Sequence, residues 1–293
     1  MNQKNNTYGT FMTSFNVVYP ILIYFVVMTL AMNIFAVIVV KLGGDIQKQY
    51  MLLQTLVSAV TLPFIYRYYR KDKIQPTVFH QHLEEVLQQK SRQQRIVNGV
   101  LMLFAGAAIG IAVNNVMALT ELEKISEGYQ QVTKNFFAGE VIFEILGACL
   151  VTPVLEEMLY RSVVYGRISD LMILKLKPET PEGQKRQKKN RIYAIVFTSL
   201  IFGAMHMNLV QLIYALVLGL MLAWFVEESG HLYGAVAGHI GANLMSVLRM
   251  ETGLFQWMMI NKSIFLISTV VFLAAGAVLL AVIWKYNAKT ETV

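Results

Sequence analysis

The run FNVVYPILIYFVVMTLAMNIFAVIVV, residues 15–40, contains no charged side chain. It exceeds the ~20 apolar residues that a helix needs to cross a bilayer. It is also too long for the apolar core of a signal peptide, and no small-residue cleavage site follows a shorter core. The run therefore predicts a transmembrane helix that stays in the mature protein, and it places the chain among membrane proteins.

The composition of the whole chain agrees with this assignment. Of its 293 residues, 56% are hydrophobic and only 15% are charged, whereas soluble domains carry roughly 25% charged residues. Its mean hydropathy is +0.50. The single cysteine, Cys149, excludes a disulfide framework and a multi-cysteine metal site. We therefore expect an integral membrane protein whose main surroundings are the lipid bilayer.

Eight apolar runs are long enough to predict membrane-spanning helices. The expected fold is thus all-α: a polytopic membrane helix bundle with about eight transmembrane helices. The predicted spans are 15–40, 51–69, 96–119, 138–160, 191–207, 209–226, 231–249 and 263–285. Very short turns join the fifth, sixth and seventh spans, which should pack as antiparallel neighbours. Gly106 with Gly110 and Ala215 with Gly219 have the spacing of close helix contacts, although small residues are common in membrane helices anyway.

Lysine and arginine residues are concentrated in two segments, which predict the orientation of the chain. Segments 67–95 and 175–191 carry seven each. Short basic loops face the cytoplasm, and these two lie an even number of spans apart, so both termini are expected in the cytoplasm. The same clustering explains the net charge of +7 without nucleic acid as a partner. Residues 79–95 predict an amphipathic helix on the inner surface, with His80 and His82 on its wet face.

Few ionisable groups remain once loops and helix ends are set aside, and such groups inside a span are costly and point to function. They are Glu140, Glu144, Glu156, Glu157, Arg161, His206 and His239, with Asn243 as a neutral polar addition. Glu157 and Arg161 are four residues apart and can pair on one helix face. Glu140 and Glu144 are expected to be interfacial or paired, and receive no role.

This set of side chains suits hydrolysis of a carbonyl compound. A carboxylate and an imidazole can hold and deprotonate a water molecule. A second imidazole and an amide can donate hydrogen bonds to the resulting oxyanion. Alternatively, Glu156, His206 and His239 could bind Zn²⁺ with an open coordination position. Neither H-E-x-x-H nor G-x-S-x-G occurs, and no span holds paired aspartates.

Three short motifs follow one another on successive polar spans. They are E-E-x-x-x-R (Glu156, Glu157, Arg161), F-x-x-x-H (Phe202, His206) and H-x-x-x-N (His239, Asn243). In this order they resemble the motifs of the CAAX protease and bacteriocin-processing family, also called Abi, of intramembrane proteases. That family includes type II CAAX prenyl endopeptidases and membrane proteins similar to lysostaphin resistance protein A. The resemblance covers residues 152–246.

The resemblance implies an endopeptidase that cuts a membrane-associated protein or peptide. It implies Glu156 as the general base, with His206 as its partner on the water molecule, and His239 with Asn243 as oxyanion donors. The supporting residues are then Glu157, Arg161 and Phe202. Family members are often labelled metalloproteases, so a Zn²⁺ enzyme and a metal-free glutamate enzyme both stay open. The motifs have no recognisable zinc spacing, which favours the metal-free form.

The expected organisation has three parts. Residues 1–137 form N-terminal transmembrane helices with a basic loop, 138–250 the catalytic helical core, and 251–293 a C-terminal transmembrane helix. The expected location is a bacterial cell membrane, with peptide maturation and bacteriocin self-immunity as candidate roles. Two other functions stay open: a proton-coupled transporter, although inverted repeats are not visible, and a non-proteolytic scaffold that regulates a partner.

Overall fold

The computed structural model describes residues 2–74, 78–173 and 180–288, and within these ranges every regular element is a helix. The α-helices are α1 (Asn2–Lys41), α2 (Tyr50–Ile74), α3 (Val78–Gln88), α4 (Arg92–Thr120), α5 (Leu122–Ile125), α6 (Glu127–Phe136), α7 (Val141–Phe143), α8 (Thr152–Glu157), α9 (Tyr165–Ile173), α10 (Pro181–Ala204), α11 (Leu209–Ser229), α12 (Leu232–Thr252) and α13 (Lys262–Ala288). Two π-helical segments, π1 (Glu144–Val151) and π2 (Met158–Val164), flank α8. The predicted all-α bundle is confirmed.

Four helices of the described chain are long and apolar enough to cross a membrane. They are Ser14–Lys41, Arg92–Thr120, Leu209–Ser229 and Lys262–Ala288. The bent pair Glu127–Phe136 and Val141–Met172, which turns by 110°, adds a fifth if it is one broken span. Helices α2, α10 and α12 coincide with three more predicted spans, but they are more polar than the four helices named above. The protein is therefore a multi-pass membrane protein, and the count of eight stays a prediction.

Helix α4 is central and helix α1 is peripheral. Over the most apolar 18 residues of each helix, 56% of the residues of α4 are buried inside the protein, compared with 6% of those of α1. Large apolar side chains on α1 face outward, including Leu30 at 59% and Ile34 at 58% exposure. Such a surface is unfavourable in water and matches lipid chains. Helix α4 packs instead against α11, α12 and α13.

Helices α4 and α12 approach so closely that side chains are excluded from their contact. A Cβ atom on Gly106 would lie 2.0 Å from the carbonyl oxygen of Gly238, and one on Gly110 would lie 2.9 Å from the Cα of Ala242. Small residues permit this approach, which membrane helices use because lipid tails remove the hydrophobic drive for association. The close contact predicted at Gly106 and Gly110 is confirmed, and it places α12 in the core.

Helices α10, α11 and α12 pack in sequence, as their short connections predicted. Helix α11 ends at Gly230, whose φ of 69° is left-handed and suits glycine. A side chain there would also collide with the backbone of Leu87, since a Cβ would lie 2.5 Å from its nitrogen. Gly230 therefore both ends α11 and lets α3 lie against the turn.

The prediction that His80 lies on a wet face is wrong. His80 is 8% exposed, and its Nε2 is 2.9 Å from the hydroxyl of Ser162 in π2. Burial lowers the pKa of His80 to about 4. The sequence periodicity correctly indicated a helix here, but α3 packs against α9 and α11 rather than lying free at the surface.

We predict that Gly106→Ala lowers the free energy of unfolding by ~1–3 kcal/mol, because the new methyl group meets the Gly238 carbonyl. The measurement is thermal unfolding of the purified protein in detergent micelles. Gly99→Ala is the matched control on the same helix, since its Cβ would meet only Tyr233 at an ordinary 3.7 Å. Equal melting temperatures for the two variants would show that the α4–α12 contact does not depend on glycine.

Candidate active site

One continuous helical path carries both motif glutamates and contains two π-helical segments. It runs through α7, π1, α8, π2 and α9. A π-helix bonds each N–H to the carbonyl five residues back, and short π segments are frequent at functional sites. Glu156 and Glu157 are the last two residues of α8, between the two π segments. The changed winding sets the direction in which each carboxylate points.

Asn243 stabilises the break that precedes α8. The backbone N–H of Thr152 donates to the carbonyl of Gly147, five residues back. In this register the donor for Ala148 is residue 153, a proline, which has no N–H. Asn243 Nδ2 donates to the Ala148 carbonyl instead, at 2.7 Å. Since no water replaces a lost backbone bond inside a bilayer, this side chain satisfies an otherwise orphaned carbonyl.

Glu157 is the most buried carboxylate of the motif and has two partners. Its Oε1 accepts a hydrogen bond from His239 Nδ1 at 2.8 Å. Its Oε2 lies 3.2 Å from Arg161 Nε, which confirms the ion pair expected from the i, i+4 spacing. The Glu157 side chain is 0% exposed and that of Arg161 is 2% exposed. These three residues form a buried charged chain that joins π2 to α12 through α8.

Phe202 supports this chain from α10. The guanidinium carbon of Arg161 lies 4.2 Å from the centroid of the Phe202 ring, within cation–π range. The ring also lies edge-on to His206 at 5.1 Å and to His239 at 6.0 Å between centroids. The phenylalanine of F-x-x-x-H is thus the apolar centre around which one arginine and two imidazoles are arranged.

Arg161 lies beneath a second close helix approach. A Cβ on Gly219 of α11 would lie 3.2 Å from Arg161 Nη2 and 3.0 Å from the Cβ of Ser199. Within the described chain, neither Nη atom of Arg161 has a hydrogen-bond partner. Its charge is therefore balanced by Glu157 and by the face of Phe202. A buried ion pair holds the neighbouring side chains in place. Removing one partner strongly destabilises the protein, because the other charge is left buried and unpaired.

His239 has a defined tautomer in its neutral form. A carboxylate only accepts hydrogen bonds, so Nδ1 carries the proton and Nε2 is the acceptor. Nε2 lies 3.9 Å from Glu156 Oε2. That separation is too long for a direct hydrogen bond, but one water molecule ~2.8 Å from each atom fits it. The Glu156 side chain is 13% exposed, so of the two glutamates it is the one that water can reach.

His206 lies in the turn that follows α10 and is half-buried. Its Nδ1 donates to the carbonyl of Phe202 at 3.0 Å, so Nε2 of the neutral ring is again an acceptor. The structure therefore brings the three motifs together around Phe202. It places His239 beside Glu156, whereas the resemblance implied His206 as the partner of that carboxylate. Asn243 differs from the rest in having its amide engaged with backbone.

Two tyrosines near Glu156 were missed by sequence reasoning. Tyr24 of α1 and Tyr160 of π2 are buried, with ring centroids 6.3 Å apart. Both are close enough to Glu156 for electrostatic interaction. The i, i+4 spacing of Glu156 and Tyr160 was a signal that could have found the second. Nothing in the sequence distinguishes Tyr24 from other tyrosines, and it shows that α1 closes one side of the site.

Glu144 also differs from the prediction that it is interfacial or paired. It is 0% exposed, and neither carboxylate oxygen has a hydrogen-bond partner within the described chain. Glu140, by contrast, is exposed at the start of α7. Glu140 is the N-cap of α7 with an extended backbone, whereas Glu144 is the first residue of π1, so the two do not share one α-helical face as their spacing suggests.

The comparison with protein families agrees with this geometry. Residues 138–245 match the family described as type II CAAX prenyl endopeptidase Rce1-like. This region is therefore similar to the CAAX proteases. The match contains Glu156, Glu157, Arg161, Phe202, His206, His239 and Asn243. No curated protein and no solved structure gave a significant match.

This family match supports intramembrane protease activity, which is a hydrolase activity, for residues 138–245. It also supports a membrane-embedded site that acts on a membrane-associated substrate. The family match does not distinguish a metalloprotease from a glutamate protease. The donor geometry bears on that choice.

The three candidate zinc ligands of the CAAX protease domain do not form a metal-binding group. No cluster of three or more His, Cys, Asp or Glu side chains with ligand geometry occurs in the part of the chain that the structure describes. His239 Nδ1 donates to Glu157 and His206 Nδ1 to a backbone carbonyl, so each ring has only Nε2 left as an acceptor. In the described chain Glu156, His206 and His239 are not placed together as a Zn²⁺ ligand group, and the reaction is derived below without a metal.

We predict that Arg161→Met lowers the free energy of unfolding by ~3–5 kcal/mol, because Glu157 is left buried without its cation. Adding Glu157→Gln should recover part of this loss, since glutamine still accepts from His239 and carries no charge. Thermal unfolding of both variants in micelles measures the effect. Lys124→Met, which breaks an exposed pair with Glu121, should leave the melting temperature unchanged. No recovery in the double variant would contradict the assignment.

We also predict coupling between Asn243 and Pro153 of the CAAX protease domain. Asn243→Ala should cost ~1–3 kcal/mol, because the Ala148 carbonyl loses its donor. In a Pro153→Ala background the restored backbone N–H can serve that carbonyl, so the same substitution should cost less. A double-mutant cycle on unfolding free energies measures the difference. Additive costs would mean that Asn243 does not compensate for the proline.

Proposed function

We propose that the protein hydrolyses a peptide bond in a membrane-associated protein or peptide, with a water molecule activated by Glu156. The observation that carries this proposal is the chain Arg161–Glu157–His239, which ends with His239 Nε2 at 3.9 Å from Glu156 Oε2. A buried, fully oriented imidazole beside a carboxylate that water can reach is an arrangement for acid–base chemistry. A helix-packing ion pair alone would not need it.

The proposed reaction begins with water beside Glu156. Glu156 accepts one proton of the water, and the acceptor Nε2 of His206 receives a hydrogen bond from its second O–H. The water oxygen then forms a bond with the carbonyl carbon of the substrate. Glu156 passes its proton to the amide nitrogen, and the carbon–nitrogen bond breaks to give a carboxylic acid and an amine. The carboxylate thus acts first as base and then as acid.

Oxyanion stabilisation falls to His239 and Asn243 in this proposal. In this role His239 carries a proton on both nitrogens and donates to Glu157 through Nδ1 and to the oxyanion through Nε2. Asn243 uses one N–H for Ala148 and keeps a second for the oxyanion. Donors fixed before the reaction stabilise the developing charge without reorganisation. Asn243 therefore has a structural and a chemical role in the same side chain.

We infer that the organisation, orientation and cellular location of the enzyme are those that its sequence predicts. Residues 138–250 are the catalytic core, between the helices of 1–137 and of 251–293, and both termini face the cytoplasm of a bacterial cell. The family match lies within this core, and the basic segments support the orientation. Candidate roles are maturation of a membrane-bound peptide and self-immunity against a bacteriocin.

We predict that Glu156→Gln and His206→Ala lower the rate of peptide-bond cleavage by ~10²–10⁴-fold, because each removes a group that handles the water. The test compares peptides released from membranes that contain each variant at equal protein level, followed by assay of the cleaved substrate in liposomes. Glu140→Gln is the matched control, because it removes an exposed carboxylate from the same helical region. If both variants keep the full cellular function of the protein at normal protein level, proteolysis is not its function.

A further inference from the structure

The outer face of α2 carries a basic concavity that the proposed reaction does not use. It has a volume of about 390 Å³ and is lined by Pro63, Tyr66, Arg67, Arg70, Lys71 and Ile74. Most of these positions are three or four residues apart, so they share one side of the helix. The three basic side chains are exposed. This concavity lies at the basic end of α2, away from the site around Phe202.

The positive charge of this concavity is not compensated within the protein. Within the described ranges, Arg67, Arg70 and Lys71 form no ion pair and no hydrogen bond. The acid on this part of α2, Asp72, is 7% exposed and points to the core. There it accepts two hydrogen bonds from Arg167, at 2.9 Å each. The helix thus directs its carboxylate inward and its three free cations outward.

The apolar side chains on the same side of α2 indicate what kind of anion fits. Leu56 and Val60 precede the basic residues at the same helical spacing and are 42% and 43% exposed. Phe64 lies beside them and is 48% exposed. A soluble phosphate would leave this apolar surface uncovered, whereas the acyl chains of a lipid would cover it. Tyr66 at the boundary is typical of the membrane–water interface.

We propose that Arg67, Arg70 and Lys71 bind the phosphate headgroup of an anionic phospholipid whose acyl chains lie along Leu56, Val60 and Phe64. The two guanidinium groups present planar, paired donors that match phosphate oxygens, and the ammonium adds a point charge. Pro63 removes a backbone N–H from α2, and its ring lines the concavity. The site holds a structural lipid against the helix that also contacts the catalytic path through π1 and π2.

The test measures lipid retained by the purified full-length protein in mixed micelles, by native mass spectrometry. Dioleoyl phosphatidylglycerol is the anionic probe and dioleoyl phosphatidylcholine the neutral one. We expect preferential binding of the anionic lipid, and the triple variant R67Q/R70Q/K71Q should weaken it by about tenfold or more. The matched control K185Q/R186Q/K188Q removes three equally exposed charges from α10 and should retain the lipid. If both triple variants lose the lipid equally, its binding depends on general surface charge and not on this site, and the proposal is overturned.

Further arms of the experiment separate the lipid from other occupants. Dihexanoyl phosphatidylglycerol has the same headgroup with short chains and should bind more weakly, because it cannot cover the apolar stripe. Equal binding of inorganic phosphate or glycerol phosphate would identify a soluble anion and contradict the lipid. If the triple variant does not fold, Arg70→Gln alone should weaken retention and Arg70→Lys should restore most of it. Unchanged retention in Arg70→Gln would then overturn the proposal.

Discussion

The buried carboxylate of Glu157 is the interaction on which the rest of the site depends. It is enclosed in the protein, yet it contacts Arg161 on one oxygen and His239 on the other. Removing a carboxylate and a guanidinium from water is costly, so each requires the other, and the His239 imidazole bonded to the same carboxylate has a fixed ring orientation. Glu156, one residue earlier, is partly exposed, and in the proposed reaction it must meet water. In that proposal adjacent positions on one helix separate a structural carboxylate from a chemical one.

Two backbone constraints bring this arrangement together. The π segments and Pro153 leave the Ala148 carbonyl without a helical donor, and Asn243 of α12 supplies one. Helix α12 reaches that position only because α4 presents Gly106 where a Cβ would lie 2.0 Å from backbone. Inside a membrane, close backbone contacts and satisfied carbonyls take the place of the hydrophobic effect as sources of specificity. The catalytic geometry is therefore linked to a glycine contact on a helix that carries no catalytic residue.

Charge is distributed by the same logic at the ends of the helices. Asp72 and Arg167 pair inside the protein, while neighbouring cations of α2 stay outside, where the membrane surface can supply the counter-charge. In helix α3, a polar side chain that the sequence pattern predicts at the surface is buried instead. The pattern of α3 is that of a surface helix, but His80 is buried against Ser162, one residue after Arg161. A neutral, buried His80 is compatible with the nearby cations Lys73 and Arg167.

The sequence by itself determined the all-helical membrane architecture, the family motifs and the Glu157–Arg161 pair, because apolar length and i, i+4 spacing are local properties. It also indicated the close approach at Gly106 and Gly110. Only the tertiary structure decided that His239 lies beside Glu156, that Asn243 serves the Ala148 carbonyl, and that Tyr24 borders the site. These contacts join helices far apart in sequence. Glu144 is buried where π1 begins, and a prediction that assumes 3.6 residues per turn cannot foresee such a change of winding.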